Sequence, residues 1–195
     1  MKRFVIHSAG KCGSMSVFNT LKKAGYNVIH AHIVEGKRNP NDEYFVITPI
    51  RELISRNISA YFENCYKDGH VSASDFVIGL EGRHMRGATF FDERFKPYWD
   101  IDVYKQLFNT NIGWKIYKHD NVKALVIRLE DINQWSDAFF LLTGDTAPRL
   151  KVSNRTRHAE YRHFLKRETI PEDYKIKIWS TKFYQHFYSD WLSDE

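Results

Sequence analysis

Short apolar segments alternate with amphipathic segments along much of this chain. Residues 3–7 form the first apolar run and predict a buried strand. Residues 14–24 predict a helix, because apolar residues recur there at helical spacing and Gly25 follows them. The same criteria predict further strands at residues 27–30, 44–48 and 122–129, with Pro49 interrupting the second of these, and further helices at residues 51–66, 74–80, 132–142, 158–167 and 172–188.

This order of segments predicts the fold class. Strands that alternate with helices form βαβ units, so we expect an α/β fold with a parallel sheet flanked by helices. A length of 195 residues suits a single domain that spans residues 1–195. Ligands in such folds bind beyond the carboxyl ends of the strands, so the loops that follow the first three strands are expected to lie together.

Composition narrows the choice of partners only a little. Lysine and arginine outnumber aspartate and glutamate by 29 to 24, which is compatible with an anionic ligand without identifying it. Cys12 and Cys65 lie in no Cys/His cluster, so no metal site is expected. The apolar run near the N-terminus is too short for a signal peptide, and no segment approaches the ~20 apolar residues of a membrane span. We therefore expect a cytoplasmic protein without a transmembrane segment, of unknown oligomeric state.

The segment between the first strand and the first helix has the composition of a phosphate-binding loop. Glycines let backbone N–H groups approach an anion closely, and the helix that follows presents the positive end of its dipole. Lys11 adds a full positive charge at the mouth of the loop. A tight turn with a surface lysine, capped by Ser14, is the structural alternative. The residues predicted to bind an anion here are Gly10, Lys11, Cys12, Gly13, Ser14, Met15 and Ser16.

A second basic element follows the third strand. Arg51 lies at the junction of strand and helix, and Ser59 lies eight residues later, about two helical turns away. An arginine can bind a phosphate through two hydrogen bonds, and a serine hydroxyl can donate another. Taken alone, the pair is more typical of a surface arginine beside a serine in the middle of a helix.

Taken together, the two elements resemble the nucleotide signatures of sulfotransferases that use 3′-phosphoadenosine 5′-phosphosulfate (PAPS). In that family a Lys-x-Gly-Ser/Thr loop binds the 5′-phosphosulfate, and Lys11, Gly13 and Ser14 match it. An arginine and a serine eight residues apart bind the 3′-phosphate, and Arg51 and Ser59 match that pattern. The resemblance implies a P-loop NTPase-like sulfotransferase fold, PAPS as co-substrate and no metal.

Other segments extend the resemblance over most of the chain. Residues 125–132 are similar to a later strand of the family that ends in Glu-Asp-Leu, and several segments are similar to a bacterial group of capsular polysaccharide synthesis proteins. Gly10 replaces the usual proline before the lysine, and Glu52-Leu53 replace the usual Asp/Asn-Pro after the arginine. The implied acceptor is a hydroxyl group, with a carbohydrate or polysaccharide as the expected carrier.

Sulfuryl transfer needs a cation for the leaving phosphate and a base for the acceptor hydroxyl. Lys11 fits the first role. His30 and His32 follow the second strand and point the same way on an extended segment. A similar His-x-His occurs in heparan sulfate 2-O-sulfotransferases, which implies His32 as the base with His30 behind it. Glu35 is an alternative base, His7 is expected to be structural, and two ordinary surface histidines remain the alternative.

The acceptor is expected over the irregular middle of the chain. Arg83, His84 and Arg86 form a basic cluster there that is predicted to bind it. A late loop closes over the nucleotide in the sulfotransferase family, which implies a contact with nucleotide or acceptor for the basic run at residues 149–157. Arg155 is the residue of that run predicted to bind the nucleotide.

Two other classes of function remain open at this point. A P-loop nucleotide or small-molecule kinase would share the fold and the loop. Against it, Val5 and Cys12 stand where the ATP-binding loop needs a glycine and a hydroxyl ligand for Mg²⁺. A nucleic-acid-binding module would suit the pI of about 9.1, although no known recognition motif is present and no nucleic-acid partner is expected.

Overall fold

The fold is built on one five-stranded sheet. The computed structural model describes residues 1–64, 72–79, 83–151, 159–166 and 170–192, and every structural statement concerns these residues. The strands are Lys2–His7 (β1), Val28–Ala31 (β2), Glu43–Ile50 (β3), Trp114–His119 (β4) and Val122–Arg128 (β5). They lie in the order β2-β1-β3-β5-β4, and all are parallel except β4, which pairs antiparallel with β5.

Helices flank this sheet. The α-helices of the described residues are Ser14–Lys23 (α1), Leu53–Asn64 (α2), Ala73–Gly79 (α3), Arg86–Phe90 (α4), Lys96–Trp99 (α5), Trp135–Thr143 (α6), Ala159–Phe164 (α7), Glu172–Trp179 (α8) and Lys182–Phe187 (α9). A π-helical turn spans Phe91–Phe95, and 3-10 turns span Val103–Lys105, Leu129–Gln134 and Ser189–Leu192. Within the described ranges, none of these helices has the length and apolar character needed to cross a membrane.

Two apolar clusters cover the two faces of the sheet. Successive side chains of a strand point to opposite faces. Phe4 and Ile6 of β1 therefore pack on one face, with Leu21 of α1 and Phe139 of α6. Val5 belongs to the cluster on the other face, which includes residues of α2, α8 and α9. The predicted α/β class, with helices that flank the sheet, is confirmed.

The sheet differs from the prediction at one edge. The sequence analysis predicts a parallel sheet and no strand at β4, but β4 is present and antiparallel. Its sequence interleaves lysines with aromatic and aliphatic residues, and it pairs with a single neighbour, so it lacks the continuous apolar run of a central strand. Asp120, at φ 48°, lies between β4 and β5 and permits the tight reversal.

Three predicted boundaries also change. Pro49 does not interrupt β3, since the strand continues to Ile50 by pairing with β5 beyond the end of the β1 register at Ile47. The helix predicted at residues 132–142 begins as a 3-10 turn and is α-helical from Trp135 onward. The helix predicted at residues 172–188 is broken into α8 and α9, because the Thr181 side chain accepts a hydrogen bond from the Tyr184 N–H and starts a new helix.

Candidate functional site

A large basic cleft opens beyond the carboxyl ends of β1, β2 and β3. Its volume is about 1400 Å³. The cleft is lined by residues 8–11 and 13 of the first loop, the N-terminus of α1, the end of β2 and one side of α2. The lysines and arginines among the described lining residues are Lys11, Arg51, Arg56, Arg83, Arg86, Arg94, Lys151 and Arg162, whereas the acidic ones are Glu63 and Glu93. This excess of positive charge suits an anionic ligand.

The loop of residues 8–13 has the backbone conformation of an anion cradle. Gly10, Lys11 and Gly13 adopt positive φ angles of 81°, 61° and 78°. A left-handed conformation is easy for glycine but costs a residue such as lysine about 1 kcal/mol, so the surrounding structure holds Lys11 in place. Gly13 also precedes α1, and a Cβ on it would lie 2.7 Å from Cδ1 of Leu129. The first residues of α1 line the cleft beside the loop, at the helix end that favours an anion.

Arg56 is a buried arginine that holds the loop of residues 8–13 through its main-chain carbonyls. It is 6% exposed, and its Nη2 donates to the carbonyl of Ala9 at 3.0 Å, while its Nε donates to that of Gly10 at 3.4 Å. Its Nη1 donates to the side chain of Asn57 at 2.7 Å. In a trans peptide the N–H points opposite to the C=O, so the N–H of Lys11 faces away from Arg56. Burial lowers the pKa of Arg56. Arg56 was not predicted as a functional residue, because the loop atoms that it holds are main-chain carbonyls.

Lys11 is paired with a replaceable partner. Its Nζ lies 2.9 Å from Oε2 of Glu63, whose side chain is 56% exposed. Ion pairs at the surface are worth about 0–1 kcal/mol, so an anionic ligand can take the ammonium group from Glu63 at little cost. Both residues line the cleft. Lys11 is therefore available to a ligand bound on the loop.

Cys12, although part of the predicted loop, faces the interior. Its Sγ donates to the carbonyl of Gly10 at 3.1 Å, and the side chain does not line the basic cleft. Burial raises the pKa of this thiol to about 11, so it stays neutral at pH 7. Ser14, Met15 and Ser16, by contrast, line the cleft.

Arg51 and Ser59 line the same cleft as the loop. Arg51 Nη2 donates to the hydroxyl of Tyr161 in α7 at 3.1 Å. Ser59 belongs to α2 and is buried where that helix lines the cleft. The two predicted anion-binding elements therefore share one cavity, although they are about 40 residues apart in the sequence.

Two carboxylates hold the start of α2, directly after Arg51. Glu52 accepts hydrogen bonds from the N–H groups of Ile54 at 2.9 Å and Ser55 at 2.8 Å, which caps the helix. Glu130 accepts from the N–H of Glu52 at 3.1 Å and from Tyr188 at 2.9 Å. Burial raises the pKa of Glu130. Glu52 thus caps the N-terminus of α2, at the position where the sulfotransferases that the sequence resembles have Asp or Asn.

The two histidines after β2 lie against the loop. His32 Nδ1 is 2.8 Å from the carbonyl oxygen of Ser8, and His30 Nε2 is 3.0 Å from Oγ of Ser14. A carbonyl can only accept, so Nδ1 of His32 carries the proton and the neutral ring has its lone pair on Nε2. The two rings are 4.9 Å apart. Burial, and next the charge of His32, lower the pKa of His30. His32 has the tautomer that a general base requires.

Two further candidates for acid–base chemistry lie elsewhere. His7 is fully buried, and its Nδ1 accepts from Nε1 of Trp99 at 2.9 Å. Burial lowers the pKa of His7 to about 4, so the ring is neutral at pH 7. Glu35 is exposed and is not among the residues that line the cleft.

The predicted acceptor residues divide into two groups. Arg83 and Arg86 line the cleft. His84 does not, because its ring lies between the Tyr174 hydroxyl, at 2.8 Å, and the Val77 carbonyl, at 2.7 Å. Arg94, which the sequence analysis did not single out, also lines the cleft.

The late basic run is described only in part. Lys151 lines the cleft, and its N–H donates to Thr20 at 3.3 Å. Arg149 is exposed and is not part of the lining. Arg155 and Arg157 lie outside the described residues.

Comparisons with known proteins add no relative. No protein-family model matches the chain, and neither the curated proteins nor the solved structures include a significant match. Within the described ranges, no three His, Cys, Asp or Glu side chains are grouped as a metal site. The geometry of the cleft is therefore the feature of the protein that points to a function.

Proposed function

We propose that this protein is a sulfotransferase that moves the sulfuryl group of PAPS to a hydroxyl acceptor such as a carbohydrate or polysaccharide. One observation carries the proposal: the loop with Lys11 and the pair Arg51 and Ser59 line a single cleft, with His32 beside the loop. A ligand with phosphate groups at both ends of a ribose would meet both elements at once. We also propose the P-loop NTPase-like sulfotransferase fold and a cytoplasmic location.

The 5′-phosphosulfate would lie on the loop. Backbone N–H groups around Gly13, the hydroxyls of Ser14 and Ser16 and the ammonium of Lys11 supply donors there. Arg51 and Ser59 would bind the 3′-phosphate. A bisphosphate carries one more charged group than AMP, and that group is what Arg51 would recognise.

The acceptor hydroxyl would then attack the sulfur. An O–S bond to the acceptor forms as the S–O bond to the 5′-phosphate breaks, and that electron pair leaves on the phosphate oxygen. Lys11 stabilises the negative charge that develops on the leaving oxygen. The hydroxyl proton passes to Nε2 of His32, whose Nδ1 is held by Ser8. Since His32 is exposed, its proton can return to solvent after the step.

The kinase alternative has less support. Cys12 stands where an ATP-binding loop places its Mg²⁺ hydroxyl, and its thiol is turned into the interior toward Gly10. ATP also has no 3′-phosphate to engage Arg51.

The first test is calorimetric titration with adenosine 3′,5′-bisphosphate, AMP and ADP with Mg²⁺. We expect the bisphosphate to bind and the other two to bind much more weakly. Preference for ADP with Mg²⁺ would move the protein to the kinases, and binding of none of the three would remove the sulfotransferase proposal.

A further inference from the structure

Three arginines that follow one another closely in the sequence line the cleft without a counterion among the residues that the structure describes. Arg83, Arg86 and Arg94 are exposed and line the cleft, and their guanidinium groups make no hydrogen bond or ion pair with a described residue. Arg51 and Arg56, in contrast, are engaged: Arg51 donates to Tyr161, and Arg56 donates to the loop carbonyls. Three guanidinium groups of like charge in one short segment, without a partner among the described residues, favour the binding of an anion beside them.

This segment borders the loop and its histidines. Phe90, the last residue of α4, lies with its ring 4.9 Å from the ring of His7, and Phe95 stacks on the same ring at 5.9 Å. His7 directly precedes the loop, and the charges of His32 and Arg94 both act on it. Arg83, Arg86 and Arg94 therefore form one wall of the cleft, beside the proposed reaction centre, and are called the wall below.

The nucleotide does not account for this wall. In the proposed complex, Lys11 and the loop bind its 5′-phosphosulfate, and Arg51 and Ser59 bind its 3′-phosphate. Among the described residues of this segment, Glu93 is the acidic residue that lines the cleft, so the positive charges outnumber the negative ones there. An acceptor with a neutral surface would leave these charges unmatched.

We infer that the acceptor is an anionic molecule, which carries a carboxylate, sulfate or phosphate group near the hydroxyl to be sulfated, and that Arg83, Arg86 and Arg94 bind that group. A guanidinium group can hold such an anion through two parallel hydrogen bonds. The inference rests on the proposed function for the word acceptor, but the anion subsite can be tested by itself.

The test uses oligomers that differ only in charge. Neutral dextran, carboxymethyl dextran and dextran sulfate of equal length are titrated calorimetrically into the full chain, with and without adenosine 3′,5′-bisphosphate. The variant combines Arg83→Gln, Arg86→Gln and Arg94→Gln. The matched control combines Lys23→Gln, Lys105→Gln and Lys118→Gln, which removes the same charge from exposed residues outside the cleft.

We expect at least one charged oligomer to bind about tenfold or more tightly than neutral dextran. The arginine variant should lose about tenfold of that affinity, because each exposed charge contact contributes up to about 1 kcal/mol, while the lysine control should lose about twofold or less. The preferred oligomer distinguishes a carboxylate from a sulfate. Melting curves check that the variants fold, and Arg83→Gln and Arg94→Gln alone provide a second measure.

Several outcomes would overturn the inference. Equal binding of charged and neutral oligomers, no binding of either, or full affinity in the arginine variant would each do so. Tighter binding of a single-stranded oligonucleotide through the same arginines would assign the wall to nucleic acid. If the dextran result holds but the bisphosphate does not bind, the sulfotransferase proposal fails and the anion subsite stands.

Discussion

Nδ1 of His32 lies 2.8 Å from the carbonyl oxygen of Ser8, so a single hydrogen bond ties the residue after β2 to the start of the loop. The bond fixes both the ring orientation and the tautomer, and it leaves Nε2 as the basic atom. His30, two residues earlier, has its Nε2 engaged with Ser14 instead. The two histidines are therefore expected to differ in function.

Replacing His32 by alanine should remove the base. We expect kcat for sulfuryl transfer to fall by about 10²–10⁴-fold, with a small change in the Kd of adenosine 3′,5′-bisphosphate. His30→Ala is the matched comparison and should lower kcat much less. A larger loss in His30→Ala than in His32→Ala would exchange the roles of the two residues.

Arg51→Ala should weaken binding of the 3′-phosphate in particular. Loss of a charge-assisted hydrogen bond costs about 1.5–3 kcal/mol, so affinity for the bisphosphate should fall by about 10–100-fold, while affinity for adenosine 5′-phosphosulfate changes little. Tyr161→Phe removes the hydroxyl that accepts from Arg51 but keeps the charge, so it is the control. Equal losses for both nucleotides would take Arg51 out of the 3′-phosphate site.

Arg56→Met should disturb the opposite end of the nucleotide. The substitution leaves the carbonyls of Ala9 and Gly10 without their donor, at a cost of about 1–3 kcal/mol in unfolding free energy. We expect weaker binding of the bisphosphate, by about tenfold or more, but unchanged binding of adenosine 3′-monophosphate, which has nothing to place on the loop. Calorimetry with both nucleotides checks this, and Arg56→Lys, which keeps one donor, should recover part of the affinity. An equal loss of affinity for both nucleotides would mean that Arg56 stabilises the fold in general and does not act on the 5′-phosphate site.

The sequence predicts some parts of this architecture well for a physical reason. Glycines beside Lys11, after an apolar run and before a helical pattern, leave few alternatives to a strand, a left-handed loop and a helix start. The placement of Arg51 and Ser59 in the same cleft as that loop follows from parallel β1 and β3, whose carboxyl ends meet at one edge.

Other parts depend on contacts that a sequence does not display. Arg56 acts on main-chain carbonyls, which have no residue type of their own. His84 was predicted to bind an acceptor on charge and position, yet its ring packs between Tyr174 and Val77. β4 pairs with one neighbour and has no continuous apolar run, so its periodicity is weak.

His7 makes the stability of the protein depend on pH. Its folded-state pKa is about 4, because burial disfavours the charged ring, whereas an unfolded histidine titrates near pH 6.5. Between these values the unfolded chain binds a proton that the folded chain does not, so the free energy of unfolding rises with pH in this window. As the pH falls from 6.5 to 4, His7 should remove up to about 3 kcal/mol of stability.

The variant His7→Asn keeps an acceptor for the indole N–H of Trp99 but cannot titrate in this range. Urea unfolding of both proteins at pH 7 and pH 4.5 isolates the contribution, because other titrating groups affect the two proteins alike. We expect the wild type to lose more stability on acidification than the variant. Equal losses would mean that His7 can take up a proton inside the folded protein, and that the bond from Trp99 does not hold it neutral.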